Sequence, residues 1–322
     1  MRTSLPILLF AVLLACNTAQ NDTLDQMQNL QATLELKTNA QLGEGAFWNH
    51  QSQEFYWVDI EGKALNIYDP ATRQNRSFPT PSRIGTVVPA NDTTAVIALE
   101  DGIYLIHTQT GELQPFAPIE ADVPANRFND GKCDPAGRLW VGSMPFAQDH
   151  PGAKVYMVNG DGSYETKIEQ VTISNGIVWT ADQKTMYYID TPTGQIRGYD
   201  FEPSTGAISN ERVVVEVPET LGYPDGMTID AEDRLWVGLW NGGAIGHFDP
   251  QTGQLIGKVE VPGALNVTAC AFGGPNLDTL YITTASIGME EAGAENYQDA
   301  GSLFKAVPGV KGVKSPFFKL NP

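Results

Sequence analysis

Four short stretches place an oxygen-bearing side chain directly before a glycine. They are Glu44-Gly45-Ala46-Phe47-Trp48, Asp130-Gly131-Lys132-Cys133-Asp134, Asn175-Gly176-Ile177-Val178-Trp179 and Asp225-Gly226-Met227-Thr228-Ile229. Read singly, each is turn chemistry: Asn-Gly is the strongest two-residue hairpin signal, and Pro224-Asp225-Gly226 is an ordinary turn. Aligned on their glycines, they put Glu44, Asp130, Asn175 and Asp225 at equivalent positions, with Asn129 one place earlier in its stretch. Carboxylates and amides gathered at one point repel one another unless a cation sits between them. Hard oxygen donors of this kind suit Ca²⁺, Mg²⁺ or Mn²⁺. Only four histidines occur and no HExxH, which argues against a His-rich zinc centre.

The elements that would gather these residues repeat along the chain. FYWVDI (55–60), AVIALE (95–100), LWVGSM (139–144), MYYIDT (186–191), LWVGLW (235–240) and LYITTA (280–285) all read as strands. Their starts lie roughly 40 to 49 residues apart, the length of a four-stranded propeller blade. A further strand and a turn follow most of them, as in NIYDPATRQ and GHFDPQTGQ, where Asp-Pro and Thr-Gly supply the turn. No long amphipathic pattern interrupts the series, which argues against βαβ units. The expected fold is all-β, a six-bladed β-propeller of four-stranded antiparallel blades. The first strand of each blade lines the central channel, so the four Asx/Glu-Gly stretches predict a ring of oxygen side chains at one mouth.

The rest of the chain sets limits. A formal net charge of −18, with no basic cluster after the leader, argues against nucleic acid or an anionic membrane surface as partner. Residues 1–15 have Arg2 and a short apolar run, as a secretory signal does, and Leu13-Leu14-Ala15-Cys16 resembles a bacterial lipobox. The expectation is an exported protein, periplasmic or at the cell surface, touching the membrane only through a lipid anchor at Cys16. A polar Gln/Asn-rich tether over 16–37 and a propeller over 38–322 follow. Cys133 and Cys270 lack a CxxC partner and read as buried small hydrophobes. Closed sheets need no partner, so a monomer is expected. There is no GxSxG elbow, P-loop or GxGxxG.

At these residues the chain resembles the regucalcin (senescence marker protein)/gluconolactonase/luciferin-regenerating enzyme family of six-bladed propellers. The stretches that carry the resemblance are LGEGAFW, NRFNDGKCDPAGRLWVGSM, ISNGIVWTADQKTMYYIDT, YPDGMTIDAEDRLWVGLWNGG and FGGPNLDTLYITTA, from about Leu42 to the C-terminus. The resemblance implies one divalent cation, Ca²⁺ first and Zn²⁺, Mg²⁺ or Mn²⁺ as alternatives, held by residues matching Glu44, Asn175 and Asp225. It implies substrate binding by Arg127 and Asn129, with Asp130 outside the ligand set. It implies hydrolysis of a sugar lactone to the aldonic acid, with Asp225 as general base toward water. A carboxylate that animal members carry after the matching Met is absent from Met144-Pro145-Phe146-Ala147-Gln148-Asp149, which puts substrate preference in question; Phe146 is expected to make that side of the pocket apolar. Two other readings stand beside it: a phosphotriesterase- or arylesterase-like hydrolase on the same metal site, and a non-catalytic cation- or sugar-binding propeller.

Overall fold

The computed structural model describes residues 29–289 and 293–321; the leader and Cys16 lie outside the described residues. The strands form six sheets, each of four antiparallel strands taken in order from the inside outward, with a fifth strand on one of them. The first blade runs 43–49, 54–59, 64–69 and 74–79, and the second 84–89, 94–99, 102–107 and 113–117. The third holds 126–133, 139–145, 153–158 and 164–171, and the fourth 174–179, 185–190, 195–202 and 207–216. The fifth holds 223–229, 235–240, 244–249 and 254–260; the sixth begins with 266–273, 279–285 and 303–306.

Burial grades across each blade. The innermost strands 43–49, 84–89, 174–179 and 266–273 are buried at every residue, whereas the outer strands 74–79 and 207–216 are largely open. An inner strand covered on both faces must be apolar throughout except where a side chain looks into the channel, which is why its few polar residues are informative. The tryptophans of the LWVG repeats pack the blades: Trp140 donates its indole N–H to Asp134 Oδ2 at 3.0 Å, and Trp236 donates to Asp230 Oδ2 at 2.9 Å. Cys133 and Cys270 are buried and free, as expected of small hydrophobes.

The sixth blade takes its outer strand from the other end of the chain. Thr33–Leu36 pairs antiparallel with Leu303–Ala306, and Asn29–Gln31 runs parallel to the edge of the fifth blade. The tether expected over residues 16–37 is thereby corrected from residue 29 onward: Thr33–Leu36 joins the sheet through its backbone pairing, with Glu35 rather than Leu34 turned inward. Buried Glu35 ties the closure to the first blade. Tyr68 Oη donates to its Oε1 at 2.7 Å, Lys305 Nζ lies 2.8 Å from its Oε2, and Arg73 Nη2 donates to its carbonyl at 2.9 Å.

Candidate functional site

Every inner strand pairs irregularly with its neighbour at the same level. The register slips between Glu44 and Phe47, Ile84 and Thr86, Phe128 and Gly131, Ser174 and Ile177, Pro224 and Met227, and Val267 and Cys270. A β-bulge bends its strand and re-aims the side chains within it. The Asn-Gly of SNGIVW is thus no hairpin turn: Ser174–Trp179 is one strand, and Asn175 sits in its bulge. Gly176 is there for space. A Cβ on it would lie 2.5 Å from Met227 Cβ, and one on Gly226 would lie 2.5 Å from Ala269 Cβ, so these glycines let adjacent inner strands close around the channel.

The bulges correct the expected alignment in the third blade. Ser174 pairs with Asp190 and Ile177 with Tyr188, leaving Asn175-Gly176 unpaired; Pro224 pairs with Leu239 and Met227 with Val237, leaving Asp225-Gly226 unpaired. In the third blade Phe128 pairs with Ser143 and Gly131 with Val141, so the unpaired residues are Asn129-Asp130. Asn129, not Asp130, is therefore the counterpart of Asn175 and Asp225. Aligning on glycine slipped that blade by one residue, and one residue exchanges the face of a strand.

A cavity of about 320 Å³ opens at this mouth, with Glu44, Arg127, Asn129, Asn175 and Asp225 lining its depth. All five are buried. Asp130, also buried, does not line it, and lies behind as a third carboxylate close enough to act on Glu44 and Asp225. The wall is largely apolar: Leu42, Met144, Ile173, Pro192, Tyr223 and Trp240. Gln148 supplies the polar contact of the segment after Met144. Phe146, expected in the pocket, instead lies 40% exposed with the Arg83 guanidinium 5.1 Å from its ring, and Asp149 pairs with His150 at 2.6 Å.

The repeats also brace the strands that carry these side chains. Asp59 and Asp190, the last residues of strands 54–59 and 185–190, accept backbone N–H groups from the chain entering each site strand. Asp59 Oδ1 accepts from Leu42 at 3.0 Å, and Asp190 Oδ1 from Ile173 at 2.8 Å. The recurrent terminal aspartate of FYWVDI and MYYIDT is a loop clamp.

Side-chain hydrogen bonds run in one direction across the floor. Arg127 Nη1 donates to Asn129 Oδ1 at 2.7 Å and to the Phe128 carbonyl at 3.0 Å. Asn129 Nδ2 donates to the Ser174 carbonyl at 2.6 Å and to Asn175 Oδ1 at 3.0 Å. Asn175 Nδ2 donates to Thr191 Oγ1 at 2.7 Å, and the Thr191 hydroxyl donates to the Pro224 carbonyl at 2.8 Å. Glu44 Oε2 accepts the Gly45 N–H at 2.8 Å, and its carboxyl is a hydrogen-bond neighbour of Asp225. Thr191 and Ile173 belong to the site but gave no sign of it in sequence, because only the folded loops bring them to the mouth; in the stretch after Met144 it is Gln148, not Phe146, that faces it.

The electrostatics are those of a floor with too much negative charge. Burial first, and then the Asp130 charge, pushes the Glu44 carboxyl up to about 8. Burial and the Glu44 and Asp130 charges push Asp225 well above the usual carboxylate range. Burial brings the Arg127 guanidinium down to about 10, although Glu44 and Asp225 favour its charge. Among the described residues no three His, Cys, Asp or Glu side chains group as a donor set by themselves. At the mouth the donors are two carboxylates and the amide oxygen of Asn175. That set fits a hard divalent cation, which would relieve the repulsion between Glu44 and Asp225 and compete with protons for their oxygens.

Fold and site together define a six-bladed propeller with an acid–amide ring at one mouth of its channel. The chain belongs to the SMP-30/gluconolactonase/LRE-like family, whose model matches residues 42–286. It is 40% identical over 277 residues to a Bacillus subtilis (strain 168) protein provisionally named sugar lactone lactonase YvrE, covering 86% of this chain and 94% of that one. It is 35% identical over 290 residues to regucalcin of Danio rerio, covering 89% and 98%. Among solved structures, a luciferin-regenerating enzyme superposes with a TM-score of 0.83 at 31% identity, over 90% of this chain and 100% of that one. A calcium-binding regucalcin of Agrobacterium tumefaciens superposes with a TM-score of 0.86 at 28% identity, over 90% and 99%.

Proposed function

We propose that this protein hydrolyses a sugar lactone at a divalent cation held by Glu44, Asn175 and Asp225. The observation that carries this reading is the convergence of those three side chains with Arg127 and Asn129 on the floor of one open cavity. The names of the relatives support lactone hydrolysis and a calcium ion. When bound, the cation supplies Lewis-acid polarisation of the lactone carbonyl and stabilisation of the charge developing on its oxygen.

The chain's own groups do the rest. Asp225 stands within the cavity to take a proton from the attacking water as its oxygen bonds to the carbonyl carbon. The ring C–O bond then breaks, the departing oxygen takes that proton to become a hydroxyl, and the carbonyl carbon is left as a carboxylic acid, which releases the water's second proton to solvent to give the aldonate. Arg127, held by the Phe128 carbonyl and Asn129, keeps its remaining N–H groups for the substrate oxygens. Glu44 and Asn175 provide charge and geometry, and the apolar wall shields the reacting bond from bulk water.

The test is turnover of a panel of aldonolactones and phosphotriesters, with and without chelator, for wild type and Asp225→Asn. Lactone turnover that chelator abolishes, and that Asp225→Asn lowers by about 10²-fold or more, is expected. Turnover indifferent to chelator overturns the mechanism, a preference for phosphotriesters moves the substrate class, and binding without turnover makes the protein a binding propeller. We also propose export with a lipid anchor at Cys16, supported by the signal-like leader: Cys16→Ala is expected to abolish lipidation of the protein, as read by metabolic labelling with a fatty acid.

A further inference from the structure

We infer that Thr191 is a positioning residue of the cation site, which points the carbonyl end of the Asn175 side-chain amide at the ring. The inference rests on the cation reading of the preceding subsection and adds a residue to it.

An asparagine at such a site has two faces, and only one can serve. Its Oδ1 is a donor of electrons to a cation, whereas its Nδ2 presents two positively polarised hydrogens. The structure determines the orientation without reference to any ion. The Pro224 carbonyl can only accept, so the Thr191 hydroxyl must donate to it, at 2.8 Å. That spends the single Thr191 proton. What remains on Thr191 Oγ1 is lone-pair density, so its 2.7 Å partner on Asn175 must be the N–H end. Oδ1 is thereby turned the opposite way. The other side agrees: Arg127 can only donate, so Asn129 must accept through Oδ1 and face Asn175 with its Nδ2, at 3.0 Å.

Thr191 is well placed to do this because it belongs to neither site strand. It opens the one-turn helix Thr191–Thr193, just beyond the clamp residue Asp190, and its hydroxyl bridges Asn175 in one blade to the residue preceding Asp225 in the next. One hydroxyl thus links the amide and carboxylate arms of the ring. Partners that orient a metal's ligands without touching the metal typically matter by 10- to 100-fold in affinity.

The experiment is calorimetric titration of chelator-stripped protein with Ca²⁺, with the melting temperature of the ion-free protein measured alongside. Thr191→Val and Thr191→Ala are expected to bind Ca²⁺ about tenfold or more weakly, and Thr191→Ser to bind as wild type does. The Asn175→Asp background separates positioning from bulk structure, since a carboxylate has no wrong end. There, adding Thr191→Val is expected to change affinity by less than about twofold if Thr191 acts only through the amide. Wild-type affinity in Thr191→Val and Thr191→Ala, or an undiminished penalty in the Asn175→Asp background, overturns the inference. Failure of the underlying cation reading looks different: wild type then takes up no Ca²⁺, or Asn175→Ala binds it as well as wild type does.

Discussion

In the cation site proposed for Glu44, Asn175 and Asp225, each member solves a different part of one problem at the residue scale. Two carboxylates supply charge and would repel each other; the amide supplies a third oxygen without adding to that repulsion. Asn175→Ala is therefore expected to weaken Ca²⁺ binding and lactone turnover together, by about tenfold or more, while the ion-free protein melts within a few degrees of wild type. A large drop in melting temperature at unchanged affinity would return Asn175 to the role of a structural residue. Protonation offers a second check. Glu44 is raised from an ordinary 4.5 to about 8, so the folded state holds its proton longer than the unfolded chain does. Stability from this group is intact below about pH 4.5 and is lost as pH rises to about 8. Asp225 is shifted in the same direction. In chelator the melting temperature is expected to fall across that interval, and the rise produced by saturating Ca²⁺ to grow across it, since proton and cation compete for the same oxygens. A melting temperature in chelator that rises over the same interval would contradict the buried, repelling pair.

The working element is the bulged inner strand. Its apolar sequence buries it on both faces, its bulge turns one side chain into the mouth, and its glycine lets the next strand approach. Gly176→Ala places a Cβ 2.5 Å from Met227 Cβ and 2.9 Å from the Asp225 carbonyl oxygen. A loss of about 1–3 kcal/mol in urea unfolding is expected, as for an overpacked core. The same substitution is expected to reduce activity by more than the unfolded fraction explains, because the shift is transmitted to Asn175. This is also where the legibility of the sequence ran out. The repeat revealed which strands line the channel and that Asn175 and Asp225 are equivalent, whereas Glu44 is still paired with Val58, one place before its bulge. It misplaced the third blade because Asp130-Gly131 matches the motif in composition while Asn129-Asp130 occupies the bulge. Hydrogen-bond register, not residue type, decides that parity.

Closure dominates at the scale of the whole molecule. Each blade keeps a short outer edge, and the sixth reaches its full four strands only because Thr33–Leu36 adds the outer one beside Leu303–Ala306. Buried Glu35, bonded to Tyr68 of the first blade and Lys305 of the last, makes this strand a joint between the two ends. Deleting residues 1–36 is expected to lower the melting temperature by more than 10 °C, roughly what a loss of several kcal/mol produces, and to broaden the transition. A truncated chain with an unchanged, sharp transition would show that the ring closes without it.

Much of this protein follows from sequence alone. The blade-length repeat with its β-branched and aromatic strands determines the propeller, since six similar hairpin units can bury their apolar faces only against one another. The recurring Asx-Gly and Glu-Gly pairs determine that oxygen donors meet at one mouth, because near-rotational symmetry brings equivalent residues to one axis. Only the tertiary structure decided that Asn129 rather than Asp130 faces the cavity, that Thr191 and Gln148 belong to the site, and that a polar N-terminal segment closes the ring. Each of these depends on register or on contacts between distant segments, and neither is written into the local pattern of residue types.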